Sequence, residues 1–137
     1  MIERWKAVAG VTAELQGLNE FLEEFWKEAC LPAEGAFPFL LALEEVFANV
    51  VMHGTVGTDP VPVELGLAFN AGQVTMTVKD AGPEFDPLSI AAPDVEAPLE
   101  ERGVGGLGIY LIRELMQAVS YRRVGSQNVL TMSKPVP

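Results

Sequence analysis

Two neighbouring runs of alternating residues in the middle of the chain constrain its fold more than any other feature. Apolar residues alternate with more polar ones over about 63–69 and again over about 74–78, the pattern of two half-buried β-strands. The intervening residues, Asn70 to Gln73, contain Ala-Gly and predict a hairpin turn. Because a short hairpin joins antiparallel strands, an all-parallel sheet is excluded.

The flanking segments complete an α+β pattern. Helices are predicted over about 12–30, 35–53 and 107–118, and further strands over about 2–9, 119–124 and 128–133. Residues of about 81–106 form a long loop rich in Gly, Pro and acids. We therefore expect a two-layer α+β sandwich, with a mixed, mostly antiparallel sheet and helices on one face. The Pro-rich tail, residues 134–137, is expected to fray.

Size and charge limit the classes of function. The 137 residues suit a single domain, here predicted over the whole of 1–137. The net charge of -10 argues against direct binding to nucleic acid or to anionic membranes. The single cysteine, Cys30, rules out an intramolecular disulfide. With no signal peptide and no uninterrupted apolar run of membrane-spanning length, we expect a cytoplasmic protein.

The second predicted helix carries a polar stripe on an otherwise apolar sequence. Glu45, Asn49 and His53 are spaced i, i+4, i+8 and therefore share one helix face. An amide oxygen such as that of Asn49 suits Mg²⁺, whose other ligands would be phosphates and waters. Glu45, one turn earlier, could accept a proton from a hydroxyl nucleophile or a water. The alternative is a solvated seam without chemistry, and His53 by itself is typical of a structural residue near a helix end.

The segment from Asp80 to Pro87 follows the second strand of the hairpin. A carboxylate at a strand end, such as that of Asp80, could accept a hydrogen bond from an exocyclic amine such as that of adenine. Gly82 lacks a Cβ and would let a flat ring approach the backbone. Asp-x-Gly-Pro is also an ordinary way for a chain to leave a strand, so the segment alone decides nothing.

A glycine-rich segment, residues 102–108, opens the third predicted helix. Backbone N–H groups at such a helix start form an anion site, and Arg102 adds a charge suited to phosphate. The alternative is a flexible hinge. The same glycines match G-x-G-x-x-G, but a loop instead of a strand precedes them and Asn128 stands where the dinucleotide-binding pattern requires an acid. We therefore regard that match as accidental.

Taken together, these segments resemble the GHKL ATPase superfamily, and within it the bacterial anti-sigma regulatory factors with serine/threonine kinase activity. The resemblance covers nearly the whole chain. The phrases that carry it are Glu45–Gly54, Asp80–Pro87, Pro98–Arg102 leading into Gly105–Gly108, and Asn128–Met132.

The resemblance implies a role for each site residue. Glu45 would be the general base, and Asn49 would hold Mg²⁺. Asp80 would recognise the adenine amino group, with Gly82 beneath the ring and Thr131 supporting the base from the last strand. An ATP lid would span about 86–104. The remaining residues would contact or cradle the phosphates: Arg102, Gly105, Gly106, Leu107 and Gly108.

By the same resemblance, the chain would use ATP and Mg²⁺ to phosphorylate a STAS-domain anti-sigma-factor antagonist, and would bind and silence a sigma factor. A homodimer is expected at the family level. The alternative is a non-catalytic partner-switch module that sequesters a sigma factor or an antagonist. The presence of Glu45 favours the enzyme, because binding alone requires no base at that position.

Overall fold

The fold is known from a computed structural model, which describes residues 1–54, 59–89 and 106–137, with the backbone alone at 106 and 107. Three short 3₁₀ turns, at Thr12–Glu14, Ala33–Ala36 and Pro87–Ser89, accompany the regular elements. In chain order these elements are β1 (Ile2–Ala9), α1 (Leu15–Glu28), α2 (Phe37–His53), β2 (Pro62–Asn70), β3 (Gln73–Asp80), α3 (Gly106–Leu115), β4 (Ala118–Val124) and β5 (Gln127–Pro135).

The five strands form one sheet in the order β1-β2-β3-β5-β4, and all four neighbouring pairs are antiparallel. The predicted hairpin joins β2 to β3, with positive φ angles of 54° at Ala71 and 79° at Gly72. Two successive positive φ angles characterise the turn that matches the twist of a hairpin. The predicted α+β class with a mostly antiparallel sheet is confirmed.

The hydrophobic core lies between the helices and one face of the sheet. Alternate residues of each strand point to that face, as the period-two pattern requires. From the sheet the core takes Val63, Leu65, Leu67, Val74, Met76, Val78, Leu130 and Met132. From α1 and α2 it takes Leu18, Leu22, Phe25, Trp26, Phe39, Ala42, Leu43, Val46 and Phe47.

The second helix, α2, is the apolar centre of the helical layer. Residues 33–53 are long and apolar enough, by length and composition alone, to cross a membrane. In this fold, however, one side of α2 packs into the core through buried residues that include Phe39, Leu43 and Phe47. Of the most apolar stretch, 33% is buried in this way, whereas Phe37 and Met52 are exposed.

The structure differs from the sequence prediction most at the end of the third helix and in the C-terminal tail. The third helix ends at Leu115, three residues early, and β4 begins at Ala118. The tail does not fray. The Val136 N–H donates to the Gly72 carbonyl at 2.8 Å, and the Val136 side chain is buried in the core. Burial of Val136 and the pairing of Lys134 and Pro135 with β3 together hold the tail in place.

Candidate functional site

A cavity opens between the C-terminal half of α2 and the ends of β3 and β5. Its empty space, counted together with the open solvent at its mouth, is about 450 Å³. Its lining combines apolar walls with a few polar groups, the usual make-up of a ligand site. The lining residues are Val46, Asn49, Val50, His53, Gly54, Val78, Asp80, Pro83, Phe85, Pro87, Tyr121, Asn128 and Leu130.

Asp80 forms the polar floor of this cavity. It is the last residue of β3 and is 7% exposed. Its Oδ1 accepts the Gly82 N–H at 2.9 Å and the Asn128 Nδ2–H at 3.0 Å. Both of its hydrogen bonds within the described residues go to that one oxygen. The second oxygen, Oδ2, is therefore left to accept from a ligand that enters the cavity.

Gly82 is required by the backbone that packs against it. A Cβ at this position would lie 2.9 Å from both Asp80 Oδ1 and the Gly54 Cα, which is too close for a carbon atom. Glycine therefore lets the turn after β3 fold back onto the end of α2. The structure thus explains Gly82 through Asp80 and Gly54, and its place beneath a bound ring stays a prediction.

The structure does not bring Thr131 into the cavity. Thr131 pairs with Thr77 on β3 and with Ser120 on β4, whereas the core-facing Leu130 pairs with Val78. Because side chains alternate along a strand, Thr131 lies on the face of the sheet opposite the cavity. The predicted contact between Thr131 and a base in this cavity is therefore wrong, because the Thr131 side chain lies on the other face of the sheet.

The residue of β5 that meets Asp80 is Asn128, which the sequence analysis did not place in the site. Asn128 is 6% exposed and pairs directly with Asp80 across the sheet. Its Oδ1 also accepts the Tyr121 hydroxyl at 2.6 Å, and burial, followed by the charge of Glu84, raises the pKa of that phenol. Counting back two residues from a core-facing strand position such as Leu130 would have found it.

The polar stripe on α2 reaches the cavity at two of its three positions. Asn49 and His53 line it, and the His53 ring stacks on Phe85 with the centroids 4.5 Å apart. Glu45, half-buried, lies one turn further toward the start of the helix and does not line the cavity. Its carboxylate packs against Gly108 of α3, where a Cβ would collide with the Glu45 side chain.

The glycine-rich segment is only partly described. Gly106 begins α3, and Gly108 lies in its first turn beside Glu45. Arg102, Gly105 and the side chain of Leu107 lie outside the described residues. Of the predicted lid, 86–89 form a short turn in which Asp86 Oδ1 accepts the Leu88 N–H at 2.8 Å, and 90–104 lie outside.

The cavity lining includes one donor, the amide oxygen of Asn49, that would suit a magnesium ion arriving with a phosphate ligand. Within the described ranges, no three acidic, histidine or cysteine side chains converge as a metal cage. Asn49 contributes a half-buried amide oxygen at the cavity wall, a hard ligand of the kind Mg²⁺ prefers. Because Mg²⁺ commonly takes one or two protein ligands and fills its octahedron with water and phosphate oxygens, the donors present suit that mode of binding.

Comparison with known proteins agrees with this geometry. Residues 9–134 match the model of the histidine kinase-like ATPase domain family. The chain is 30% identical over 97 residues to the serine/threonine-protein kinase BtrW of Bordetella bronchiseptica, covering 71% of this chain and 68% of that protein.

Two solved structures share the fold. The RsbU and RsbW domains of Rv1364c from Mycobacterium tuberculosis match 99% of this chain with a TM-score of 0.70 and 14% identity. The histidine kinase AdeS of Acinetobacter baumannii also matches 99% of the chain, with a TM-score of 0.52 and 10% identity. The chain spans 33% of the first of these solved chains and 69% of the second.

Proposed function

We propose a function on the premise that this chain belongs to the histidine kinase-like ATPase domain family, whose model spans residues 9–134. The family resemblance inferred from the sequence is thereby confirmed. Within that family, we propose that the chain is a protein serine/threonine kinase that binds ATP with Mg²⁺. A relative named as a serine/threonine-protein kinase, 30% identical over 97 residues, supports the kinase assignment.

The observation that carries the proposal is that, within the described residues, only one of the two carboxylate oxygens of Asp80, at the floor of the cavity, is hydrogen-bonded. Its Oδ1 is occupied by two donors, so Oδ2 is the acceptor that a ligand meets. A buried carboxylate oxygen that has no donor bound to it favours a base that brings its own N–H, as the 6-amino group of adenine does. The apolar walls, among them Val46, Val78 and Leu130, suit the faces of a purine ring.

The remaining roles follow from position along α2. With the base at Asp80, the phosphates would extend toward the start of α3, whose exposed N–H groups favour anions. Bound Mg²⁺ would neutralise phosphate charge, with Asn49 as its protein ligand. Glu45, beside Gly108, would accept the proton of the attacking hydroxyl group. The hydroxyl oxygen would bond to the γ-phosphorus as the bond to ADP breaks and ADP leaves.

The substrate we propose is a serine of a STAS-domain anti-sigma-factor antagonist, in a cytoplasmic partner-switching pathway that also includes a sigma factor. This chain carries a net charge of -10. Phosphorylation adds nearly two negative charges to the antagonist, so its release from so acidic a protein is expected. We further propose that residues 1–137 act as one domain and that the protein works as a homodimer.

The first experiment is a calorimetric titration of ATP with and without Mg²⁺, on the wild type and on Asp80→Asn. The donors at Oδ1 would hold the oxygen of the new amide, so its NH₂ would take the place of Oδ2 and oppose the adenine amine. We expect Mg²⁺-dependent binding by the wild type, and a loss of affinity of about tenfold or more in the variant.

Asp59→Asn is the matched control, because it removes the same charge at an exposed position outside the cavity. Failure of the folded wild type to bind ATP would contradict the proposal. Binding without transfer of the γ-phosphoryl group to a STAS-domain protein would leave a nucleotide-binding module without kinase activity.

A further inference from the structure

One side of α2 faces solvent, and its side chains are mostly apolar. At the two ends of the helix, Phe37 is 65% exposed and Met52 is 55% exposed. Between them, Leu41 is half-buried and Ala48 is exposed. The spacing of these four residues, with steps of four and seven, keeps their side chains on one helix face. We call Phe37, Leu41, Ala48 and Met52 the outer stripe.

The neighbouring helix α1 shows what the solvent-facing side of a surface helix ordinarily carries. Its exposed side chains are polar and include those of Gln16, Glu20, Glu24 and Lys27. On the corresponding side of α2, a single charged residue, Glu44, interrupts the outer stripe. A row of exposed apolar side chains at this place is not needed for the packing of the domain, and exposed apolar surface of this kind is characteristic of an interaction site.

The surface beside the outer stripe is acidic. Trp26 of α1 packs on Phe39 of α2 with the ring centroids 5.5 Å apart, so the two helices are neighbours. Glu23 lies one turn before Trp26, on the side of α1 toward α2, and Glu20 and Glu24 are exposed next to it. In the described part of the chain, none of these three carboxylates forms an ion pair. A partner that lies along the outer stripe therefore meets negative charge on the α1 side.

This charge distinguishes among the possible occupants of the stripe. A second copy of the chain would bring its own net charge of -10, so that two surfaces of the same sign would meet. An anionic membrane surface is repelled by the same net charge. A helix with one apolar face and basic residues beside that face complements both the apolar stripe and its acidic flank.

We propose that the outer stripe binds an amphipathic helix of a partner protein, with apolar side chains on the stripe and Lys or Arg beside α1. Ala48 is the smallest residue of the stripe and leaves room between Leu41 and Met52 for a larger side chain of the partner. From Phe37 to Met52 the stripe runs about 22 Å, which matches a partner helix of about four turns. The inference goes beyond the proposed reaction with ATP, since none of the four residues lines the cavity.

The test uses two synthetic peptides of about 16 residues with the same leucine stripe at helical spacing, one with lysine and the other with glutamate at the remaining positions. Fluorescence anisotropy measures their affinities for the wild type and for the double variant Phe37→Ser, Met52→Ser, in which both changes are at exposed positions. We expect the wild type to bind the lysine peptide, and to bind the glutamate peptide about tenfold or more weakly. In the double variant, the affinity for the lysine peptide should fall by about tenfold or more.

Val124→Ser is the matched control, because it removes an exposed apolar side chain from β4, far along the chain from α2. Binding of the lysine peptide that is unchanged in the double variant would indicate general attraction to an acidic protein and would overturn the inference. A triple variant, Glu20→Gln, Glu23→Gln, Glu24→Gln, should weaken the lysine peptide and reduce the dependence of its affinity on salt. Unchanged affinity in that variant would contradict the basic character of the partner.

Two further measurements separate the other occupants. If the double variant dissociated a wild-type dimer in sedimentation, a second copy would occupy the stripe, and the inference would be overturned. The same conclusion would follow if the wild type bound phosphatidylglycerol vesicles and the double variant did not. Because the peptides are titrated without nucleotide, failure of this inference is distinguishable from failure of the ATP titration.

Discussion

The side chains at the two ends of the cavity differ in their burial and in their hydrogen bonding. At the β3 end, Asp80 and Asn128 are each less than a tenth exposed and share a hydrogen bond that belongs to a larger buried network. At the α2 end, Asn49 lines the cavity and Glu45 lies one helical turn beyond it. Both are half-buried, and within the described part of the chain neither side chain makes a hydrogen bond or an ion pair.

This contrast agrees with the proposed division of the site into one end that recognises the ligand and one end that carries out the reaction. A preformed network costs little to reorganise when a base binds, so the β3 end is suited to selectivity. Side chains without fixed partners remain free to accept a proton or coordinate an ion, so the α2 end is suited to reaction. Changes at the first end should alter affinity and stability, and changes at the second should alter turnover.

The largest effect is expected for Glu45→Ala. If Glu45 is the general base that we propose, its loss should lower the rate of phosphotransfer by about 10²–10⁴-fold, because proton transfer contributes that much in enzymes. The affinity for ATP, measured by calorimetry, should remain within about threefold, since Glu45 does not line the cavity.

The neighbouring Glu44→Ala is the matched control, because Glu44 is exposed on the same helix. A fall in ATP affinity as large as the fall in rate would erase the distinction between the two ends of the cavity. Full transfer by Glu45→Ala would show that another group is the base.

A smaller effect is expected for Gly108→Ala, which removes no polar group from the protein. The new Cβ would collide with the Glu45 carboxylate and displace it. We expect a loss of phosphotransfer of about tenfold or more but a change within about 1 kcal/mol in the free energy of unfolding, because the atoms that must move are the far end of the flexible Glu45 side chain and alanine is favoured over glycine in a helix. Steady-state kinetics and chemical denaturation measure the two quantities.

Gly17→Ala is the matched control, since its Cβ within α1 would meet no atom within 4 Å. That change should stabilise the protein by about 0.5–1 kcal/mol, the usual gain of alanine over glycine inside a helix. Equal transfer rates for the two variants would mean that contact between Glu45 and Gly108 does not matter for the reaction.

The sequence predicted the elements and the family because both are encoded locally. Alternation over 63–69 and 74–78 specified the strands, and the spacing of Glu45 and Asn49 specified their shared helix face. The order β1-β2-β3-β5-β4 depends on pairing between distant segments, which periodicity does not reveal. The prediction that the tail frays was wrong for the same reason, because Val136 is ordered by distant partners such as Gly72.

The site was predicted least well on β5. The role of Thr131 came from the family resemblance, since on the sequence alone it is only a residue that suits a strand. The register instead sets Asn128 opposite Asp80 and places Thr131 on the other face of the sheet. Only the three-dimensional pairing shows that Tyr121 and Arg123 converge on the same amide oxygen.

The smallest predicted effect comes from Tyr121, at the outer side of that network. Burial, then the charge of Glu84, raises its pKa above the ordinary value of 10.0 in the folded protein. The folded state therefore holds the phenol proton more tightly than the unfolded state does. The resulting stabilisation is fully present below about pH 10 and is lost as pH rises through the raised pKa.

Tyr121→Phe should remove this dependence along with the hydrogen bond to Asn128, at a cost of about 1 kcal/mol near neutral pH. As the pH rises above about 10, the free energy of unfolding should fall further in the wild type than in the variant. Tyr110→Phe on α3 is the matched control for loss of a phenol. If the free energy of unfolding depended on pH in the same way for wild type and Tyr121→Phe, the Tyr121 proton would not contribute to the rigidity of the β3 end. The contrast between the two ends of the cavity would then rest on Asp80 and Asn128 alone.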